Sequence, residues 1–124
     1  MSKVRKRLGA WGEGIARGFL EKQGYRIECS NYRTKQGEID LICWDNDQMV
    51  FVEIKTSRSM LLKTPQEGYS KRQRDRFRLM AENYLATNKL RNKPSGFRFD
   101  FVGVKIVQNN HTITHLQNIE IPPF

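Results

Sequence analysis

Apolar positions first recur at intervals of three and four. Leu8, Trp11, Gly12, Ile15, Ala16, Phe19 and Leu20 fall on one stripe, which predicts an amphipathic helix from Leu8 to Lys22 with Gly24 as its stop. The period then shortens to two, the alternation of a strand. Tyr25 to Arg33 reads as a strand, Thr34-Lys35-Gln36-Gly37 as a turn, and Glu38 to Trp44 and Met49 to Thr56 as two strands joined through Asp45-Asn46-Asp47-Gln48. Thr64-Pro65-Gln66-Glu67 and Ser70-Lys71-Arg72-Gln73 both have the form of a helix-capping box. The second opens the main helix, whose apolar stripe is Phe77, Met80, Ala81, Tyr84 and Leu85. Asn88 to Gly96 is a loop, Phe97 to Val107 a strand, and His111 to Gln117 its hairpin partner. The order is α-β-β-β-α-β plus a C-terminal strand, an α/β chain with one mixed β-sheet flanked by helices.

A chain of 124 residues is one domain, taken as 1–124, with a basic arm over 1–7 and an extended tail over 118–124. The four helix glycines Gly9, Gly12, Gly14 and Gly18 each cost roughly 1 kcal/mol against Ala and imply close approach to a sheet or a ligand. No apolar run approaches the roughly 18 residues of a membrane span, and the basic start leads into no apolar signal region, so a cytoplasmic address without membrane contact is expected. Charge changes the picture more. Twenty-two Lys and Arg against 13 Asp and Glu give a net +9, the balance of a protein that meets a polyanion. Cys29 and Cys43 are too few for a disulfide framework or a Cys-rich zinc site and read as small core residues. His111 and His115 stand four apart in a strand, about 13 Å, too far to share a metal.

The chemistry lies in Gly37-Glu38-Ile39-Asp40-Leu41-Ile42 and Phe51-Val52-Glu53-Ile54-Lys55. A two- or four-residue hairpin loop sets Asp40 opposite Glu53 and Glu38 opposite Lys55, with Cβ atoms roughly 5 Å apart and all four side chains on one face. Ile39, Leu41, Cys43, Val50, Val52 and Ile54 then fill the other face. Facing carboxylates repel, and a hard divalent cation, which takes one or two carboxylates together with phosphate oxygens, offsets that better than Lys55 alone. Glu13 sits at the edge of the first helix's apolar stripe, where a helix packed over this sheet face would aim it at the cluster.

A helix Glu, an Asp, and Glu-x-Lys about a dozen residues later resemble the PD-(D/E)xK nuclease superfamily. Gly12-Glu13-Gly14-Ile15-Ala16, Asn31-Tyr32-Arg33 and the two strand motifs resemble, more narrowly, the YraN-like family of bacterial proteins, which is similar to archaeal Holliday junction resolvases. Pro65, Glu67, Lys71, the Ala81–Leu85 stretch and Phe99-Asp100 fit the same pattern, and Ile39 stands where the superfamily's name has Pro. The resemblance implies a restriction-endonuclease-like core and a metal-dependent phosphodiesterase site. Asp40, Glu53 and the Ile54 carbonyl would hold Mg²⁺ or Mn²⁺, Glu13 a second metal or its water, and Glu38 would be an accessory acid. Lys55 would orient the attacking water and steady transition-state charge. Resolvase likeness also implies a twofold homodimer, because a junction presents two scissile strands.

Lys71, Arg72, Arg74, Arg76 and Arg78 crowd into eight residues of the second helix with Asp75 the only acid among them. Arginine forks suit phosphate, so Lys71, Arg72, Gln73, Arg74 and Arg78 are the expected nucleic-acid contacts, to DNA in preference to RNA. Gln73 is either the partner of the Ser70 cap or, by resemblance, a group near the active site. Arg58, Lys63, Lys89, Arg91 and Lys93 add to the field. An endonuclease acting on DNA, branched or junction DNA included, is the first expectation. A non-catalytic nucleic-acid-binding module of the same fold is the alternative, and a scaffold with a partner on its exposed edge strand is a third.

Overall fold

A computed structural model of the chain describes residues 3–58, 70–88 and 93–119. Its elements are α1 (Lys3–Lys22), β1 (Arg26–Thr34), β2 (Gly37–Asp45), β3 (Gln48–Ser57), α2 (Lys71–Thr87), β4 (Gly96–Val107) and β5 (Asn110–Leu116). The five strands form one sheet in sequence order, antiparallel except for the parallel β3–β4 pair. A parallel pair needs a crossover, and α2 lies in it. The expected α/β class, mixed sheet and element order are all present, consistent with a restriction-endonuclease-like core.

The local signals act as the side chains dictate. Gly24 takes φ +94 and ends α1. Ser70 caps α2 by accepting the Gln73 N–H, while the Gln73 side chain takes the Ser70 N–H at 2.9 Å. The β2–β3 turn is two residues long, with Asn46 at φ 57 between the facing pair Asp45 and Gln48. The even loop length fixes the register anticipated above.

Two ends differ from expectation. Lys3 to Arg7 belong to α1 rather than to a separate arm, because Lys and Arg are good helix formers and no breaker precedes Leu8. The segment after β5 does not simply extend away. Ile119 is buried and its N–H donates to the Phe99 carbonyl at 2.7 Å. The capping box at Thr64–Glu67, Lys63, Lys89, Arg91 and residues 120–124 lie outside the described residues.

Each sheet face carries its own core. α2 contributes Phe77, Met80, Ala81 and Tyr84 to one, against Ile42, Trp44, Met49 and Phe51. α1 contributes Ala16 and Leu20 to the other, against Leu41, Cys43, Val50, Val52 and Ile54. A sheet covered on both sides excludes water from its central strands and makes any polar group placed there costly unless satisfied. No helix among the described residues is long and apolar enough to cross a membrane.

Candidate active site

The β2–β3 ladder runs from Asp45–Gln48 to Leu41–Val52. Continued, it would set Ile54 opposite Ile39. Instead the Ile54 N–H donates to Asp40 Oδ2 at 2.7 Å, so a side chain replaces the backbone partner. Strand alternation breaks at the same place. Ile39 and Ile42, three apart, both join the core under α2, whereas Leu41 joins the core under α1. Asp40 therefore lies between the two faces. The expectation that Asp40 shares a face with Glu38, Glu53 and Lys55 is corrected in that respect, the cause being the local break in pleat.

Glu53 and Lys55 lie on the α2 side, whereas Glu38, between Gly37 and Ile39 which both face α2, alternates away from it and joins the cleft at its edge. With Gln36, Gly37, Gln73, Arg76, Phe77 and Met80 they line a polar cleft of about 220 Å³. Lys55 Nζ stands 3.5 Å from Glu53 Oε1 at the cleft floor. A larger hollow of about 390 Å³, between the end of α2 and the start of β4, is lined by Leu85, Asn88, Lys93, Pro94, Gly96 and Phe97 and contains no acid.

Glu13 arrives by a different route from the one expected. α1 covers the Leu41–Val52–Ile54 face and α2 covers the cleft face. Gly12 is buried against β3, so close that a Cβ there would lie 1.7 Å from Thr56 Oγ1. That approach brings half-buried Glu13 into the field of Asp40 and Glu38 from behind the sheet.

Burial pushes the Asp40 carboxyl up to about 7; the Ile54 N–H opposes the rise, and the neighbouring Glu13, Glu53 and Glu38 add to it. Burial also raises Glu53, against the pull of Lys55, and raises Glu13, which Glu38 reinforces. Mutually repelling carboxylates in a half-dry site form an oxygen donor set suited to a hard divalent cation. Among the described residues, however, no three acidic, His or Cys groups already converge on one point.

α2 meets the cleft with one flank. Gln73 is both cap partner and cleft residue, so its two expected roles coexist. Lys71, Arg74 and Arg78 lie on the other flank, where Lys71 pairs with Asp75 at 2.9 Å and Arg78 with Glu82 at 3.0 Å. Arg72 is exposed. Arg76, absent from the expected contacts, lines the cleft instead. The helical spacing Gln73, Arg76, Phe77, Met80 was the signal that would have found it.

The sequence reading also missed a buried network on the α1 side. Asp100 is fully buried. It accepts from Arg98 Nε at 3.0 Å and from the Asn118 N–H at 2.9 Å, and lies 2.9 Å from His115 Nε2. Arg98 also reaches Asp45 at 2.8 Å and the Tyr25 hydroxyl.

The model of "Uncharacterised protein family UPF0102" matches residues 12–104. A UPF0102 protein of Alkaliphilus oremlandii is 37% identical over 93% of this chain and 98% of its own length. One from Alkaliphilus metalliredigens is 40% identical over the same shares. UPF0102 protein STH1475 of Symbiobacterium thermophilum is 42% identical over 82% of this chain and 85% of its own.

Proposed function

Because the chain belongs to the UPF0102, YraN-like, family, which is of the PD-(D/E)xK nuclease type, we propose that it is a metal-dependent endonuclease hydrolysing phosphodiester bonds in DNA, branched or junction DNA included. The observation that carries this reading is the Glu53–Lys55 pair at the floor of a cleft walled by Arg76 and Gln73, with Asp40 fixed beside it by the Ile54 N–H. A site for phosphate binding alone gains nothing from half-buried acids, which repel the ligand.

Asp40 and Glu53 would hold Mg²⁺ or Mn²⁺, and Glu13, whose charge acts on Asp40 from α1, would hold a second metal or its water. The Ile54 carbonyl supports the set, since the N–H and C=O of a strand residue leave the same edge and its N–H already meets Asp40. Bound there, the ion supplies Lewis-acid charge that activates water and neutralises phosphate oxygens. The chain's own groups do the rest. Lys55, exposed enough to move, orients water and places fixed positive charge beside the phosphate. Glu38 accepts a proton or a water hydrogen at the cleft wall, and Gln73 and Arg76 face the substrate from α2.

Asp40→Ala and Lys55→Ala are each expected to cut cleavage of labelled duplex, single-stranded and four-way-junction DNA by about a hundredfold or more with Mg²⁺ or Mn²⁺. Their circular dichroism should match wild type. A wild-type protein that cleaves none of these substrates with either metal removes the proposal. The rival is a non-catalytic nucleic-acid-binding module. It is favoured by the lack of three converging ligands among the described residues, and it predicts DNA binding that survives loss of both Asp40 and Glu53.

A further inference from the structure

The α2-facing surface of the sheet does not end at the cleft. Phe101 of β4 and Leu116 of β5 face each other in register and join the core under α2. Alternate residues turn towards α1, where Val102 and Val104 pack with Ile113 and His115 meets the Phe19 ring. Strand alternation therefore sets Gly103, Lys105, Thr112 and Thr114 on the α2-facing side, past the end of that core. The register joins them to the cleft floor. Lys55 stands beside Gly103 and Gly103 beside Thr114, one row across three strands, and Ser57, Lys105 and Thr112 form the next row. Gly103 places no side chain between Lys55 and Thr114, whose backbones are two strand spacings apart, about 10 Å. Lys105 lies one strand over and two residues along from Lys55, about 8 Å.

Lys105 is not tied into the fold. It makes no ion pair or hydrogen bond among the described residues. Nor does it guard a sheet edge, since β4 is paired on both sides. Thr112 and Thr114 are exposed, and their hydroxyls likewise have no partner among the described residues. The two rows carry Lys55, Lys105 and three hydroxyl residues, and no acid. Ammonium and hydroxyl donors without a carboxylate complement a polyanion, and the net charge of +9 has the matching sign. The separation of the two lysines spans two to three nucleotides at about 3.4 Å of rise each. The surface is continuous with the cleft, so one chain of phosphates can cross both.

We propose that this surface is a landing shelf for one strand of nucleic acid. Lys105 holds a backbone phosphate next to the one at the acid–lysine floor, and the Thr112 and Thr114 hydroxyls donate to phosphate oxygens beyond it. The strand thus leaves the cleft over β4 and β5, on the side away from the β1–β2 hairpin. The assignment rests on reading the cleft as a nucleic-acid site, and it is separable from catalysis.

The test is fluorescence anisotropy with a labelled single-stranded oligonucleotide in metal-free buffer across a salt series. A parallel cleavage assay in Mg²⁺ resolves KM from kcat. Lys105→Ala should weaken binding about tenfold and reduce the magnitude of the log K versus log salt slope by about 0.7. Lys105→Arg should keep the wild-type slope, because the charge stays. The double variant Thr112→Val with Thr114→Val keeps both β-branched shapes and removes both hydroxyls. It should weaken binding about threefold or more with the slope unchanged, since no charge is lost. Arg17→Ala, in an i,i+4 pair with Glu21 on α1, should bind as wild type. Wild-type affinity and slope in Lys105→Ala overturn the shelf, as does a wild-type protein that binds no oligonucleotide. A Lys105→Glu variant that sediments as a monomer where wild type is a dimer, and still binds the oligonucleotide as wild type, assigns the surface to a second copy of the chain and also overturns it. Binding losses without any cleavage by wild type keep the shelf and remove the nuclease reading. Cleavage with KM unchanged in Lys105→Ala and in the threonine double variant does the reverse.

Discussion

Asp40 shows how one residue can hold conflicting demands. Its carboxylate completes the Ile54 N–H that the broken ladder leaves, yet burial and three neighbouring glutamates oppose its charge and carry it from 3.8 to about 7. A carboxyl raised on folding binds its proton more tightly in the native state. Its stabilising contribution is therefore complete below about pH 4 and is lost as pH climbs to about 7. Asp40→Asn keeps an acceptor for Ile54 and removes the charge. Relative to wild type, the variant should gain thermal stability progressively across that window and level off above pH 7. Melting curves from pH 4 to 8 give the comparison, and parallel curves for the two proteins would refute the assignment. Glu-x-Lys spacing was legible in the sequence because strand positions two apart share a face. The position of Asp40 between the two sheet faces was not, because it comes from a break in pleat that no residue type announces.

At the scale of elements, the Ala16–Leu20 core holds α1 on the sheet, and one glycine permits its close approach to β3. A methyl at Gly12 would enter Thr56, at 1.7 Å from Oγ1 and 2.6 Å from Cγ2, whereas Gly9, Gly14 and Gly18 face open space. Gly12→Ala must lift the helix from β3 and should cost about 1–3 kcal/mol in urea unfolding, with Thr56→Gly restoring part of it. Gly14→Ala and Gly18→Ala should each stabilise by about 0.5–1 kcal/mol, since Ala is the better helix residue and nothing crowds it. The four glycines look alike in the sequence, and only packing shows that one of them explains the close approach. α2 carries the same lesson in charge. Its flanks were legible from the helical wheel, but the choice of the Arg76 flank over the Lys71–Arg74–Arg78 flank for the cleft was not. That choice depends on how the helix lies across β2 and β3.

Across the whole molecule, the acid cleft and the Asp100 network occupy opposite faces of one sheet. Asp100 ties β4 to β5 and to the segment beyond it through His115 and the Asn118 N–H, and it neutralises Arg98, itself 11% exposed. Although burial alone would raise its pKa, the bonds from His115, Arg98 and Asn118 lower it. This contribution is present at neutral pH and lost only as pH falls through the acid range, the reverse of Asp40. Asp100→Ala leaves Arg98 buried against an empty site and should cost about 3–5 kcal/mol in denaturant unfolding at pH 7. A loss under 1 kcal/mol would show that Asp45 and Tyr25 suffice for Arg98. The sequence by itself determined the element order, the hairpin register and the Glu53–Lys55 pair, because period, turn length and capping residues are local and repeat along the chain. Tertiary structure alone decided which helix covers which face, where Glu13 enters, that the β1–β2 hairpin walls the cleft, and that Asp100 meets His115. Those contacts join residues far apart in the chain, and their geometry follows from sheet twist, strand irregularity and close packing rather than from any local pattern.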